Sequence, residues 1–178
     1  NRAEDGLMHR IGEKLQTDRG EWTDKELGAL LGAAVIALTL IYNYNVQVSQ
    51  VLEKSVIAAS YWHTSRDPQL AVNMYKEAFA IKTPYDRDPR MLLANNINDN
   101  PEKLQSLPLA KRKEAVDYAI SLLRQNLELN PHDSLTLFVL ARLQTAAFRV
   151  TAEPEYLRAA LLSLDASIAE GGEHIPPY

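Results

Sequence analysis

The sequence predicts an all-α protein in which one hydrophobic helix precedes about three imperfect helix pairs. Three observations support this fold class. An uncharged apolar run extends from Leu27 to Tyr42. The apolar residues after it recur at helical spacing, with small and large side chains at regular places. Proline or glycine follows most of the predicted helices, as expected for residues that stop a helix.

Composition limits the classes of function. The 178-residue chain has 46% hydrophobic and 24% charged residues, which is ordinary for a folded domain. Its formal net charge of −4 gives no broad basic surface, so we expect no nucleic-acid partner. The chain has no cysteine, which excludes disulfides and thiol chemistry.

Residues 1–20 are predicted to form a short amphipathic helix. Leu7, Ile11 and Leu15 lie at i, i+4 and i+8, and charged residues fill the other faces. Gly20 ends the pattern. Because the chain begins at Asn1 and not at methionine, we expect a processed piece of a longer protein.

Residues 21–48 are predicted to form the hydrophobic helix. Thr23 and Glu26 have the spacing of a capping box, and no charge follows until Glu53. A membrane span needs about 20 apolar residues, and aromatic residues stand at both ends of this run, at positions 22, 42 and 44. The alternative is a helix buried in a protein core.

A glycine pair marks one face of this helix. Gly28 and Gly32 form a G-x-x-x-G pattern, which lets two helices approach closely. The alternative is that these glycines face lipid with no partner. The residues predicted to mediate self-assembly are Leu27, Gly28, Leu31, Gly32, Ala33, Val35, Ile36 and Leu40.

Basic residues are unevenly distributed around the hydrophobic helix. Five precede it, at positions 2, 10, 14, 19 and 25, whereas only Lys54 and Arg66 follow it closely. The positive-inside rule then predicts a cytoplasmic N-terminus and an external remainder. We therefore expect a location at the cell surface or outside the cell, reached from a membrane-anchored precursor.

Residues 49–178 carry a repeat typical of tetratricopeptide-like helix pairs. The stretches LAVNMYKEAFAIKTP and YAISLLRQNLELNPHD share small and large residues at matching positions. The residues predicted to pack between helices are Ala59, Trp62, Ala71, Tyr75, Ala78, Leu93, Ala94, Ala119, Leu140, Ala141 and Ala160. The small residues Ala59, Ala94 and Ala141 are 35 and 47 residues apart, and the additional length lies in the turn-rich segment 98–108.

Motifs for catalysis or metal binding are not found in the sequence. The four histidines, at positions 9, 63, 132 and 174, have no second ligand at i+3 or i+4. The charge run Lys111–Glu114 is interpreted as a solvated helix face, with a phosphate contact as the alternative. We predict no enzyme activity, no cofactor and no metal.

Residues 22–95 resemble a known arrangement. The stretches IYNYNVQVSQVLEKSVIAA and DPQLAVNMYKEAFAIKTPYDRDPRMLLA are similar to the last membrane helix and tetratricopeptide-like tail of bacterial O-antigen ligase-like membrane proteins. Those proteins have their glycan-transfer chemistry upstream of this tail. The resemblance therefore implies a location and an origin, but no activity for these residues.

Three functions are compatible with the sequence. The first is a pilin-like structural protein, whose hydrophobic helix joins copies of the chain into an extracellular filament after at least transient contact with a membrane. The second is a membrane-anchored extracytoplasmic adaptor that binds a protein, peptide or glycan in a groove containing His63, Asn95 and Arg142. The third, a glycan-transferring enzyme, requires upstream residues that this sequence does not contain.

Overall fold

The computed structural model describes residues 23–64, 67–83 and 86–171. The predicted all-α class is confirmed, since the described residues form helices and no strand. The predicted helix over 1–20 lies outside the described residues, as do Trp22, Arg66, the proline at 84 and the histidines at 9 and 174. The helices are α1 (Asp24–Ile41), a π-helical turn (Tyr42–Val46), α2 (Gln47–Thr64), α3 (Pro68–Phe79), α4 (Arg87–Asp99), a 3-10 helix (Pro101–Ser106), α5 (Leu109–Leu129), α6 (Ser134–Thr151) and α7 (Pro154–Gly171).

The chain divides into two units between Ile41 and Tyr42. The boundary predicted from the sequence, at 48/49, lies within α2. No loop separates the predicted segments, because the π-helical turn leads directly into α2 and packs with it. The described part of the second unit, residues 42–171, is called the helical domain below.

The first unit contributes α1, whose start follows the predicted capping box. The backbone amide of Thr23 donates to Glu26 Oε2 at 3.0 Å, and the Glu26 amide donates to Thr23 Oγ1 at 3.4 Å. These bonds satisfy amides that an α-helix leaves unpaired at its N-terminus. No residue of α1 is buried.

Within the helical domain, each helix packs against the next one or two. Helix α2 packs on α3, α4 on α5, and α6 on α7. Helix α4 also contacts α2, and α6 contacts both α4 and α5. The largest fully buried side chains belong to one continuous core and include Trp62, Tyr75, Leu93, Ile97, Leu104, Leu123 and Leu143.

Most residues predicted to pack between helices are buried in this core. Trp62, Ala71, Tyr75, Ala78, Leu93, Ala94, Ala119, Leu140, Ala141 and Ala160 are all buried. Ala59 is the exception, since it is only partly buried and the fully buried alanine is Ala58. The buried positions of α2 are 51, 55, 58 and 62, so the stripe facing α3 passes through position 58. The predicted packing alanine of this helix is therefore one residue off, whereas Trp62 is buried as predicted.

The segment between α4 and α5 is part of the core. Leu104 of the 3-10 helix is fully buried. Lys103 Nζ donates to the backbone carbonyl of Trp62 and, at 3.1 Å, to that of His63. A cation at this position satisfies carbonyl groups at the C-terminus of α2 and interacts favourably with the helix dipole.

Aspartates begin two of the helices, and an alanine ends one in an unusual conformation. Asp67 Oδ1 accepts from the amide of Leu70, and Asp133 Oδ1 accepts from that of Thr136, each at 3.1 Å. These are N-cap bonds. Ala152, which follows α6, has φ 61°, in the left-handed region that usually favours glycine.

Candidate functional site

From Leu27 onward, helix α1 presents a largely apolar surface on every side. Its exposed side chains include Leu31, Val35, Ile36, Leu38, Leu40 and Ile41, and Ile36 has 63% of its surface exposed. Its polar Thr39 donates its hydroxyl hydrogen to the Val35 carbonyl at 2.8 Å, so the helix itself satisfies this group. Together with the helix that continues it to Thr64, α1 is long and apolar enough to cross a membrane, judged by length and composition alone.

The glycine pair lies in open space. A Cβ atom added at Gly28 or Gly32 would meet nothing within 4 Å. Packing among the described residues therefore does not explain why these two positions carry glycine. Leu27, Leu31, Ala33, Val35, Ile36 and Leu40, the other predicted assembly residues, are also exposed.

A second candidate site is a groove between α6 and α7, with a volume of about 420 Å³. The two helices are joined by two residues and run antiparallel, because Ser163 Oγ donates to Gln144 Oε1 and Ser167 Oγ to the Ser134 carbonyl, both at 2.8 Å. The groove is lined by Asn98 of α4, by Phe138, Ala141, Arg142, Thr145, Ala146 and Arg149 of α6, and by Leu157, Ala160, Leu161 and Leu164 of α7.

Of the three residues predicted to line a groove, only Arg142 does so. His63 lies exposed near the end of α2, and Asn95 is partly buried in α4. Neither is among the groove-lining residues. The prediction assumed a surface formed by the first helix of each pair, whereas this groove lies within the last pair.

The sequence analysis missed Arg149, Leu157 and Leu161, although a signal for α7 was present. Leu157, Leu161, Leu164 and Ile168 lie at i, i+4, i+7 and i+11 and are all exposed. A different face of α7, with Tyr156 and Ala160, is buried. The described helices therefore leave this second apolar face of α7 exposed.

The charged groups that line the groove are both arginines. Arg142 Nη2 lies 3.2 Å from Asp99 Oδ1 in an exposed ion pair. Arg149 is exposed, and no hydrogen bond or ion pair joins it to another residue of the described ranges. Asn98 donates from Nδ2 to the Val139 carbonyl at 3.4 Å, whereas its buried Oδ1 has no partner within the described part of the chain. The groove therefore contains one cation without a counter-ion and one unpaired buried amide oxygen among the described residues.

The charge run at the start of α5 forms contacts within the domain. Lys111 Nζ lies 2.6 Å from Glu114 Oε2, and Lys113 pairs with Glu153. Hydrogen bonds from Lys111 and from Lys76 lower the pKa of Glu114 to about 2. These internal pairs favour a solvated ionic surface over a phosphate site.

A buried polar network joins α4 to α5. Arg90 Nη2 lies 2.6 Å from Asp86 Oδ2, and Arg90 Nη1 donates to Asn126 Oδ1 at 3.1 Å. Asn126 Nδ2 in turn donates to the Arg87 carbonyl at 3.1 Å. These groups pair with one another, apart from the buried Arg90 Nε, which has no partner within the described residues, and they do not line the groove. We assign them a structural role.

A similar pair connects α3 to α4. Asn96 Nδ2 donates to the Tyr75 hydroxyl at 2.8 Å. Burial raises the pKa of Tyr75 well above its ordinary value, and the hydrogen bond from Asn96 opposes this shift only partly. The phenol stays protonated, which suits a core position.

The described residues contain no cluster of three or more His, Asp or Glu side chains that could hold a metal ion. His132 Nδ1 lies 2.9 Å from Glu170 Oε2, in an exposed contact between the turn before α6 and the end of α7. This contact is a surface pair and not a constellation for catalysis.

Comparison of the chain with protein-family models, with curated proteins and with solved structures finds no match.

Proposed function

We propose that the protein is a non-catalytic interaction module anchored in a membrane by α1, with a helical domain that binds a partner protein. The observation that carries this proposal is that α1 is uncharged and largely apolar on all sides from Leu27 onward and has no buried residue. Each large apolar side chain left in water costs on the order of 1–2 kcal/mol. Transfer of α1 into a bilayer removes this cost for every face at once.

The length of the uncharged segment supports a membrane anchor. No charged residue occurs from Leu27 to Leu52, which is roughly 39 Å of helix at 1.5 Å per residue. A hydrocarbon core is about 30 Å thick, so the segment can cross it. The exposed Tyr42 and Tyr44 follow α1 where interfacial aromatic residues are expected.

The excess of basic residues before α1 supports an external location for the helical domain. The packing of α2 on α3, α4 on α5 and α6 on α7 supports the tetratricopeptide-like interpretation of that domain. An extracytoplasmic adaptor at the cell surface is consistent with both observations.

Flotation with liposomes tests the anchor. We expect the full chain to float with phosphatidylcholine vesicles at high salt, and a Leu31→Lys/Ile36→Lys double variant to remain in the aqueous fraction. Leu129→Lys is the matched control, because this exposed leucine ends α5 and lies outside α1. A wild-type chain that stays in the aqueous fraction as a monodisperse monomer would contradict membrane anchoring.

The open space beside Gly28 and Gly32 favours a second candidate function, self-assembly through α1 into a pilin-like filament. Copies of the helix that approach through this face bury the same apolar surface that a bilayer would bury. Head-to-tail contacts that do not close into a ring give a helical filament with the helical domains outward.

Electron microscopy of the chain without detergent tests the filament. We expect Gly32→Leu to prevent assembly, because it fills the space between two backbones. Ala34→Leu changes the opposite side of α1 and is the matched control. Absence of filaments from the wild-type protein, or equal assembly by both variants, would exclude this second function.

A further inference from the structure

The packing of α6 within the helical domain indicates what kind of element fits the α6–α7 groove. Helix α6 packs on both α4 and α5, so it fills the groove between these two antiparallel helices. The corresponding groove formed by α6 and α7 is not filled by any described helix. A further α-helix packed in the α6–α7 groove would continue the same arrangement.

The surface of the α6–α7 groove has the size and chemistry of a helix-packing face. On α7, Leu157, Leu161, Leu164 and Ile168 span eleven positions, or about 16 Å along the axis. Leu161 is 59% exposed, and Phe138 of α6 is 44% exposed on the opposite wall. Three turns of an amphipathic helix with apolar residues at i, i+4 and i+7 would cover this stripe.

Charge determines which amphipathic helix fits. The groove-lining residues include Arg142 and Arg149 and no aspartate or glutamate. Arg142 already has Asp99 as a partner, whereas Arg149 has no counter-ion in the described part of the chain. A carboxylate on the incoming helix would pair with Arg149 at the rim while leucines contact α7.

We propose that the α6–α7 groove binds an amphipathic α-helix of a partner protein, with leucine-type anchors on one face and acidic side chains beside them. This proposal rests on the proposed role as an interaction module and identifies its partner by chemistry.

Two other occupants fit the charge pattern less well. A second copy that docks by two-fold symmetry would bring the arginines of one groove toward those of the other, which is repulsive. Helix α1 of a second copy has no charge from Leu27 to Ile41 and so leaves Arg149 without a counter-ion.

Fluorescence anisotropy with designed peptides tests the proposal on the full chain in nanodiscs of zwitterionic lipid. The first probe is an 18-residue helical peptide with leucines at i, i+4, i+7 and i+11 and glutamates beside them. The second has lysines in place of the glutamates, and the third is a scrambled form of the first. We expect the glutamate peptide to bind at least tenfold more tightly than either of the others at low salt.

Substitutions of groove-lining residues test whether the peptide binds in the groove. Arg149→Glu should weaken binding of the glutamate peptide about tenfold and strengthen binding of the lysine peptide. Leu161→Ala should weaken binding of the glutamate peptide. Arg124→Glu is the matched control, because Arg124 is an exposed residue of α5 that does not line the groove. Equal affinities of the glutamate and lysine peptides, or equal effects of the two arginine variants, would overturn the proposal.

A failure of the proposed helix binding in the groove can be distinguished from a failure of the proposed membrane anchoring by α1. Flotation reports only on α1, whereas peptide affinity reports only on the groove. A concentration-dependent dimer that Leu161→Glu abolishes in light scattering would assign the groove to a second copy and overturn the partner helix.

Discussion

Arg87 and Asp133 join the first turn of α4 to the N-cap of α6. The Arg87 guanidinium donates from Nε at 2.9 Å and from Nη2 at 2.6 Å to the same carboxylate oxygen, Asp133 Oδ2. That carboxylate also accepts from the amide and hydroxyl of Thr136. One aspartate therefore both begins a helix and fixes its position against another.

This arrangement predicts a pH dependence of stability. Burial acts to raise the pKa of Asp133, but the hydrogen bonds from Thr136 and Arg87 together outweigh it and leave the pKa below the ordinary 3.8. A depressed carboxyl pKa contributes stability that is present above the unfolded pKa and lost as pH falls through the folded pKa. Asp133→Ala should lower the free energy of unfolding by about 2 kcal/mol at pH 7.

The difference between wild type and Asp133→Ala should shrink below about pH 4 in urea unfolding measured from pH 7 to pH 2. Asp88→Ala is the control, because Asp88 also contacts Arg87, at 3.3 Å, but is largely exposed. A difference that stays constant over this range would contradict the role given to the Asp133 carboxylate.

Ala58 and Ala59 provide a test of the register of α2. Ala58→Leu should overpack the contact with α3 and destabilise the domain by about 1–3 kcal/mol, because Ala58 is fully buried. Ala59→Leu should cost less, since Ala59 is partly buried and its side chain can turn toward solvent. Thermal unfolding of the two variants gives the comparison, and the reverse order would restore the register predicted from the sequence.

Ala152 provides a test of backbone strain. Ala152→Gly should stabilise the domain by about 0.5–1 kcal/mol, because glycine adopts the left-handed conformation without the Cβ clash. Ala80 is a matched control, since it ends α3 in an ordinary helical conformation and is also exposed. Ala80→Gly should not stabilise the domain in chemical denaturation, and equal effects of both variants would argue against strain at Ala152.

The helical domain is expected to fold without α1. A fragment of residues 47–171 retains α2–α7 and the continuous core, in which each helix contacts its neighbours. Its far-UV circular dichroism spectrum should be strongly helical, with cooperative thermal unfolding. A random-coil spectrum would show that the residues before Gln47 are needed for folding.

The sequence predicted helices well where a local signal was strong. The Thr23–Glu26 capping box begins α1 as expected, and the small and large residues at helical spacing identified most of the core. These signals depend on positions three or four apart along the chain, which the sequence displays directly. Position 59 was misassigned because Ala58 and Ala59 are adjacent alanines, and only the partner helix decides which of them faces inward.

The groove was harder to predict because it depends on contacts between distant segments. Arg142 was identified from its place in α6, but Arg149 and Leu157 meet only when α6 and α7 turn back on each other. The pairing of Lys113 with Glu153 is similar, since these residues are distant in sequence. Charge runs reveal the kind of side chain present but not the partner that each one finds.

The segment between α4 and α5, which the sequence pattern alone presents as surplus length, is a structural part of the helical domain. An engineer who shortened it to regularise the repeat would remove Leu104 from the core and leave the end of α2 without the ammonium group of Lys103. A flexible glycine-serine replacement of equal length would have the same defect. Insertions that carry a tag or a second domain should therefore be placed elsewhere. Any redesigned version of the protein should keep this irregular segment unchanged.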